Sequence, residues 1–272
     1  MRVAIVDADP LTYLIAITAQ EVVEWEPEVY TARCNGKVAR VRLRNWADQI
    51  CRDLRADRAE FVFTDRSRNF RNDYWPDYKG NRNPAAKPIF LKQIADIAMD
   101  EFNGWMWEGL EGDDVAGILA TSDAYWPGAE KIVVSIDKDM HTIPGKHYNP
   151  NKREKGIIEI TEAEATRFHL LQSLMGDTVD GYPGCPGYGI KTAGKVIDKA
   201  IEAGEDPWKA IVACYEKKGF DEAYALNQAR CAFILKASHF DTDKMVHRHW
   251  TPEGPGELAI PPTKDFDDEY SF

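Results

Sequence analysis

The chain has 272 residues and a formal charge of −11, with 44% hydrophobic and 29% charged positions. That composition excludes a disordered or low-complexity chain, and no apolar run reaches the roughly 20 residues a membrane helix needs. Five widely spaced cysteines (Cys34, Cys51, Cys185, Cys214, Cys231) make neither a zinc motif nor a disulfide framework, so a reducing cytoplasm is the expected setting.

Residues 2–6 read as a buried strand ending at Asp7, in a chain that opens on a strand rather than a signal peptide, and a helix is expected after Pro10, from Leu11 to Ile17. Alternating residues either side of Asn35-Gly36 predict a hairpin over 28–43, followed by helical spacing at Trp46, Ile50, Cys51 and Leu54. Phe61-Val62-Phe63 is a second buried strand, ending at Asp65. Residues 66–88 are a basic, aromatic, irregular connection of the kind that carries function. A helix over 89–102, a short apolar piece at 105–107 and a helix opening on Glu111-Gly112-Asp113-Asp114 follow. Residues 131–136 form a third strand, which finishes at Asp137 and Asp139. A second hairpin is expected between Tyr148 and Ile160, then a helix from Thr161, and helices through about 236. The Pro-rich remainder is expected to be extended or partly disordered. Strands alternating with helices predict a parallel α/β sheet, with its ligand site outside the carboxyl ends of the strands.

Those strand ends concentrate carboxylates. Asp7, Asp65, Glu111, Asp113, Asp114, Asp137 and Asp139 come from the sheet region, and Asp177 and Asp180 follow at a spacing that one helical turn would bring to one face. An acidic first turn or a cap explains any one of them. Nine converging acids need cations, and they match two divalent metals of the kind that assist phosphodiester hydrolysis.

The net negative charge is locally reversed. Arg33, Lys37, Arg40, Arg42 and Arg44 form one basic run; Arg66, Arg68, Arg71, Lys79, Arg82, Lys87 and Lys92 form another. Within the second, Phe70 to Arg82 interleaves bases with aromatic residues, as single-strand binding surfaces do, although a solvated loop has the same composition. Residues 187–193 (GYGIKTA) are a glycine turn entering a helix, suited to a backbone phosphate or simply to capping. Gly189, Gly194 and Lys195 imitate a nucleotide-binding loop, but Val196 stands where Ser or Thr must hold magnesium and no strand precedes it.

With Asp7, Asp65, YKGNR at 78–82, EGDD at 111–114, DKD at 137–139, GDxxDG at 176–181 and GYGIKTA together, the chain resembles the 5′-nuclease superfamily from Val3 to about Ala193. The resemblance implies a PIN-like central parallel sheet flanked by helices (1–169), with an arch or clamp at 66–88. It also implies a helix–three-turn–helix DNA-binding region (170–240) and a C-terminal extension (241–272). In that family the acids hold two Mg2+ or Mn2+ ions, and a K+ ion often sits in the glycine-rich turn. Carried over, Lys79 reaches the scissile phosphate, Arg82 orients it, Tyr78 packs near the terminal base, and Arg71 lies in the DNA-binding segment. Gly187, Gly189, Lys191 and Thr192 grip duplex backbone. The first helix (LTYLIAI, 11–17) lacks the Arg many members carry there, and the arch is short. The size suits a stand-alone phage-type enzyme.

The function so implied is a structure-directed 5′→3′ exonuclease or flap endonuclease. It would act as a monomer in a bacterial or phage-infected cell, on DNA 5′ ends, flaps or nicks and on the RNA of RNA–DNA hybrids, in replication or repair. The alternatives are a PIN-type ribonuclease, which generally lacks the glycine-rich module, and a non-catalytic structure-specific DNA binder. The acidic, aromatic tail Asp265–Phe272 suits a replication partner, the enzyme's own DNA groove, or mere solubility.

Overall fold

A computed structural model describes residues 1–27, 29–81 and 87–259. Its centre is a six-stranded sheet in the order β5-β4-β1-β6-β7-β8. The strands are β1 (Arg2–Asp7), β4 (Arg58–Val62), β5 (Gly104–Trp105), β6 (Glu130–Val134), β7 (Gly145–Tyr148) and β8 (Ile157–Ile160). All pairings are parallel except β7 with β8. β1 is buried on both faces, which is why its sequence is continuously apolar rather than alternating. Ala4 and Val6 face one core with α1 (Ala8–Ala19), α2 (Gly36–Leu54) and α3 (Leu91–Glu101). Val3 and Ile5 face a second core with α4 (Gly112–Thr121) and the segment from Phe233 to Phe240.

The structure corrects two expectations. Asn35-Gly36 is not a hairpin turn: Asn35 caps α2, its Oδ1 accepting from the amides of Lys37 (3.1 Å) and Val38 (3.4 Å). The hairpin lies one strand earlier, between β2 (Gln20–Glu26) and β3 (Val29–Cys34). Five alternating residues cannot separate strand from helix, and burying Ala39, Leu43, Ala47, Ile50 and Leu54 at helical spacing decided it. The Pro-rich remainder is not simply extended either. β9 (Phe240–Asp241), β10 (Val246–Thr251) and β11 (Gly254–Leu258) form a small antiparallel sheet in the order β11-β10-β9. It is anchored by Trp250, whose ring lies 5.3 Å from that of Trp208 and 4.8 Å from that of His169.

The helical region is α5 (Glu162–Met175), α6 (Ile190–Glu202), α7 (Pro207–Glu216) and α8 (Glu222–Ala232), packed around Leu174, Ile197, Ile211 and Tyr215. Thr161 caps α5 reciprocally with Glu164. Between α5 and α6 the chain folds back sharply at Gly176 (φ +74°) and Gly184 (φ +65°); a Cβ on either would stand 2.4 Å from the other's backbone. Among the described residues, no helix is long and apolar enough to cross a membrane.

Candidate active site at the carboxyl edge of the sheet

β1 delivers Asp7 at its last position, and the loop after β6 delivers Asp137 and Asp139 beside it. Ser135 links them, its hydroxyl donating to Asp7 Oδ2 (2.8 Å) and accepting from the Asp137 amide (3.0 Å). Glu111 and Asp113 open α4. The fold-back at Gly176 brings Asp177 and Asp180 to the same side; its arms are bridged by Asp177 N to Tyr182 O (2.8 Å) and Tyr182 N to Asp177 O (3.1 Å). Asp177 and Asp180 thus face the site from a closed turn rather than from a turn of helix.

Glu111, Asp113, Asp137, Asp139, Asp177 and Asp180 line one cavity of about 260 Å³, together with Lys79, Lys138, Tyr78, Arg71 and Gln172. Asp7 lies just outside the lining and interacts with Asp113 and Asp137. Lys79 pairs with Glu111 and stands 3.6 Å from Asp180, and the Tyr78 hydroxyl donates to Glu111 (3.0 Å) and to Asp180 (3.2 Å). Burial alone would raise the Glu111 carboxyl, but Lys79, Arg71 and the hydrogen bonds from Lys79 and Tyr78 hold it below the usual range.

In the other inner acids burial outweighs the compensation. Burial, then the charges of Asp9 and Asp137, push Asp7 up to about 7 against hydrogen bonds from the Ser135 hydroxyl and the Asp9 amide. Burial and the charges of Asp7 and Glu111 push Asp113 well above the ordinary carboxylate value. Burial raises Asp139, against its pairing with Lys138. Among the described residues, no three acid, histidine or cysteine side chains already close around one point as a cation cage. The donor set is nevertheless carboxylate oxygen throughout, and Lys79 and Lys138 offset only part of its charge. Those are the terms on which hard divalent ions bind.

Four expected site residues, Asp114, Arg71, Tyr78 and Asp65, are held in structural contacts. Asp114, fully buried, turns away from the cavity: Arg71 grips it with two bonds of 2.7 and 2.8 Å, and it also accepts from the amides of Glu111 and Leu235. With its oxygens so occupied, it caps α4 and neutralises Arg71 instead of facing a metal. Arg71, only 1% exposed, also donates to the carbonyls of Cys231 (3.0 Å) and Phe233 (2.6 Å), so it ties the basic segment to the end of α8 and is closed to DNA. Tyr78 is 5% exposed, its ring stacked on Tyr182 at the cavity wall. Asp65 sits apart from the lining residues, its oxygens accepting from the amides of Ser67 (2.9 Å) and Gly109 (2.7 Å). Those bonds outweigh burial and lower its pKa.

Gly187 (φ +88°), Gly189, Lys191 and Thr192 are exposed, and Gly189 begins α6 with no side-chain cap. Arg82 and Asp265–Phe272 lie outside the described residues. The sequence reading missed Asp9, in the first turn of α1. It accepts from the Thr64 amide (3.0 Å) and lies near Asp7 and Glu111, with a pKa raised by burial. The Asp-x-Asp spacing at the end of β1 was its signal. Gln172 was also missed, having no motif of its own, and so was Lys138, although it lies inside the DKD motif.

Fold and site together define a parallel α/β protein whose acids converge at one sheet edge beneath a lysine-bearing strut. The T5 5′-exonuclease, solved with divalent zinc ions bound, has a similar fold at 16% identity, covering 85% of this chain and 89% of that one with a TM-score of 0.62. Residues 27–167, just over half the chain, match the family described as 5′-3′ exonuclease, N-terminal resolvase-like domain, and the chain belongs to that family. It is 27% identical to the exodeoxyribonuclease of Enterobacteria phage T3 over 92% of this chain and 93% of the relative. To the exonuclease of Escherichia phage T7 it is 26% identical, over the same shares.

Proposed function

We propose that this chain is a divalent-metal-dependent 5′ nuclease. It hydrolyses phosphodiesters at DNA 5′ ends, flaps or nicks, and in the RNA of RNA–DNA hybrids, during replication or repair in a bacterial or phage-infected cell. The observation that carries the reading is one cavity lined by acids from the β6 loop, α4 and the α5–α6 turn, with Lys79 at its edge. Family membership and near full-length similarity to two phage exonucleases support it.

Asp7, Asp113, Asp137 and Asp139, with Glu111, Asp177 and Asp180, are the residues that would hold two Mg2+ or Mn2+ ions. Bound there, such ions supply Lewis-acid charge that lowers the pKa of water and stabilises a leaving oxygen. Lys79, held between Glu111 and Asp180, would meet the scissile phosphate, which competes with those carboxylates for its charge. Arg82 would orient that phosphate from the same segment. Residues 170–240 would grip duplex backbone without reading sequence, through Gly187, Gly189, Lys191 and Thr192, with K+ as a candidate ion in the turn. The enzyme would work as a monomer, its acidic tail available to a replication partner.

The test is product mapping on a 5′-end-labelled flap duplex in Mg2+, beside single-stranded RNA. Short 5′ products from the flap, abolished by EDTA and restored by Mg2+, are expected. Cleavage of the RNA alone would instead make this a ribonuclease.

A further inference from the structure

The acid cavity already holds a cation of the chain's own. The Lys79 ammonium pairs with Glu111 Oε1 and stands 3.6 Å from Asp180 Oδ2. The other oxygen of Glu111 is claimed as well: Oε2 accepts from the Tyr78 hydroxyl (3.0 Å) and lies 3.3 Å from Arg71. Tyr78 and Arg71 are buried, and Arg71 is tied to Asp114 and to the carbonyls of Cys231 and Phe233, so that oxygen stays occupied. Glu111 can turn an oxygen to a second cation only if the lysine gives one up, because two cations on one carboxylate oxygen repel.

The lysine is anchored everywhere but at its tip. Its backbone is left-handed (φ +55°), a conformation that a non-glycine residue keeps only where its surroundings impose it. Here its amide donates to the Asp180 carbonyl (2.7 Å), while Trp75 Nε1 and Asn81 Nδ2 donate to the carbonyls of Gly181 (2.9 Å) and Thr178 (2.8 Å). The strut is thus bonded to the very turn that supplies Asp177 and Asp180. What can still move is the side chain, a flexible four-carbon stem that carries a point charge and is 20% exposed.

We propose that Lys79 is an internal counter-cation of the acid cavity: its ammonium neutralises Glu111 and Asp180, yields those oxygens to a divalent cation, and is thereby freed for a substrate phosphate. One charge serves two tasks in turn, first holding like-charged acids together and then meeting the phosphate. The inference rests on the metal-dependent reading above.

The test uses the full chain and Mn2+, whose free signal in electron spin resonance reports binding without turnover. K79Q removes the charge and should bind Mn2+ about fivefold more tightly than wild type. Without divalent cations it should melt roughly 4 °C lower, because Glu111 loses its counter-charge, and saturating Mn2+ should abolish that deficit. Mn2+ affinity equal to or weaker than wild type overturns the proposal. A melting deficit that persists in Mn2+ marks a merely structural ion pair and overturns it too. The wild-type chain supplies a measurement that no misfolded variant can spoil: acetylation of Lys79 by an N-hydroxysuccinimide ester, read by mass spectrometry. Adding Mg2+ should raise that acetylation severalfold. Unchanged acetylation overturns the exchange even where K79Q binds Mn2+ tightly, since the gain then comes from general repulsion. D137A separates this proposal from the reading beneath it. A D137A that binds Mn2+ like wild type overturns the metal site itself, whereas weakened binding in D137A beside wild-type affinity in K79Q overturns only the exchange.

Discussion

The acid cavity and the glycine-rich turn are built on opposite plans. The cavity gathers Glu111, Asp113, Asp137 and Asp177 from distant stretches of chain, with Asp7 next to it, buries several of them and leaves their charges in conflict. The stretch 187–193 is contiguous in sequence, and its Gly187, Gly189, Lys191 and Thr192 are open to solvent. Groups that share one low-dielectric pocket act as a unit, so removing any one of them disables the rest. Exposed phosphate contacts of the kind proposed for the turn are screened and nearly additive, so removing one should weaken binding by a modest factor.

The largest effect expected from this contrast is at Asp137. Asp137→Ala should lower kcat on a labelled flap by about 1,000-fold or more while duplex affinity stays near wild type in a binding titration. A comparable loss of duplex affinity would show that the two regions are not separate.

Neighbouring positions in α4 sharpen the comparison from inside the cavity. Asp114→Asn breaks a fully buried pair with Arg71 and should cost about 3–5 kcal/mol in urea unfolding. Asp113→Asn removes a charge held among like charges and should raise the melting temperature of the metal-free protein while abolishing cleavage. Equal behaviour of the two variants would mean that both acids face the cation.

The pH dependence follows from Asp7. Its folded pKa, about 7, lies above the free value of 3.8, so between those values the folded state holds a proton that the unfolded chain has lost. Its contribution is therefore fully present below about pH 4 and is lost as pH rises through 7. Metal-free protein should melt at lower temperature at pH 8 than at pH 5.5, and saturating Mg2+ should flatten that difference. A metal-free melting temperature unchanged over this range would place Asp7 outside the conflicted cluster.

The smallest effect belongs to the turn. Lys191→Ala should weaken duplex binding about three- to tenfold, reduce the slope of log affinity against log salt by about one, and leave kcat at saturating substrate unchanged. A change in kcat instead of affinity would tie the turn to the cavity.

Sequence alone determined the parallel α/β plan, because strands buried on both faces must be continuously apolar and their terminal acids fall at one edge by topology. It also determined the glycine-rich turn, whose residues are adjacent and whose backbone needs are local. Tertiary structure decided what neighbouring residues of one type each do. Asp113 and Asp114 are indistinguishable as letters, yet one faces the cavity and the other is claimed by Arg71, forty-three positions away. Arg71 and Tyr78 read as a binding surface and became struts, because burying a guanidinium requires a carboxylate and the carbonyls of Cys231 and Phe233. Hairpin against helix at Asn35, and extended tail against sheet at 240–258, were likewise settled by which faces the folded core could cover. Such choices depend on partners remote in the chain, and no local pattern encodes them.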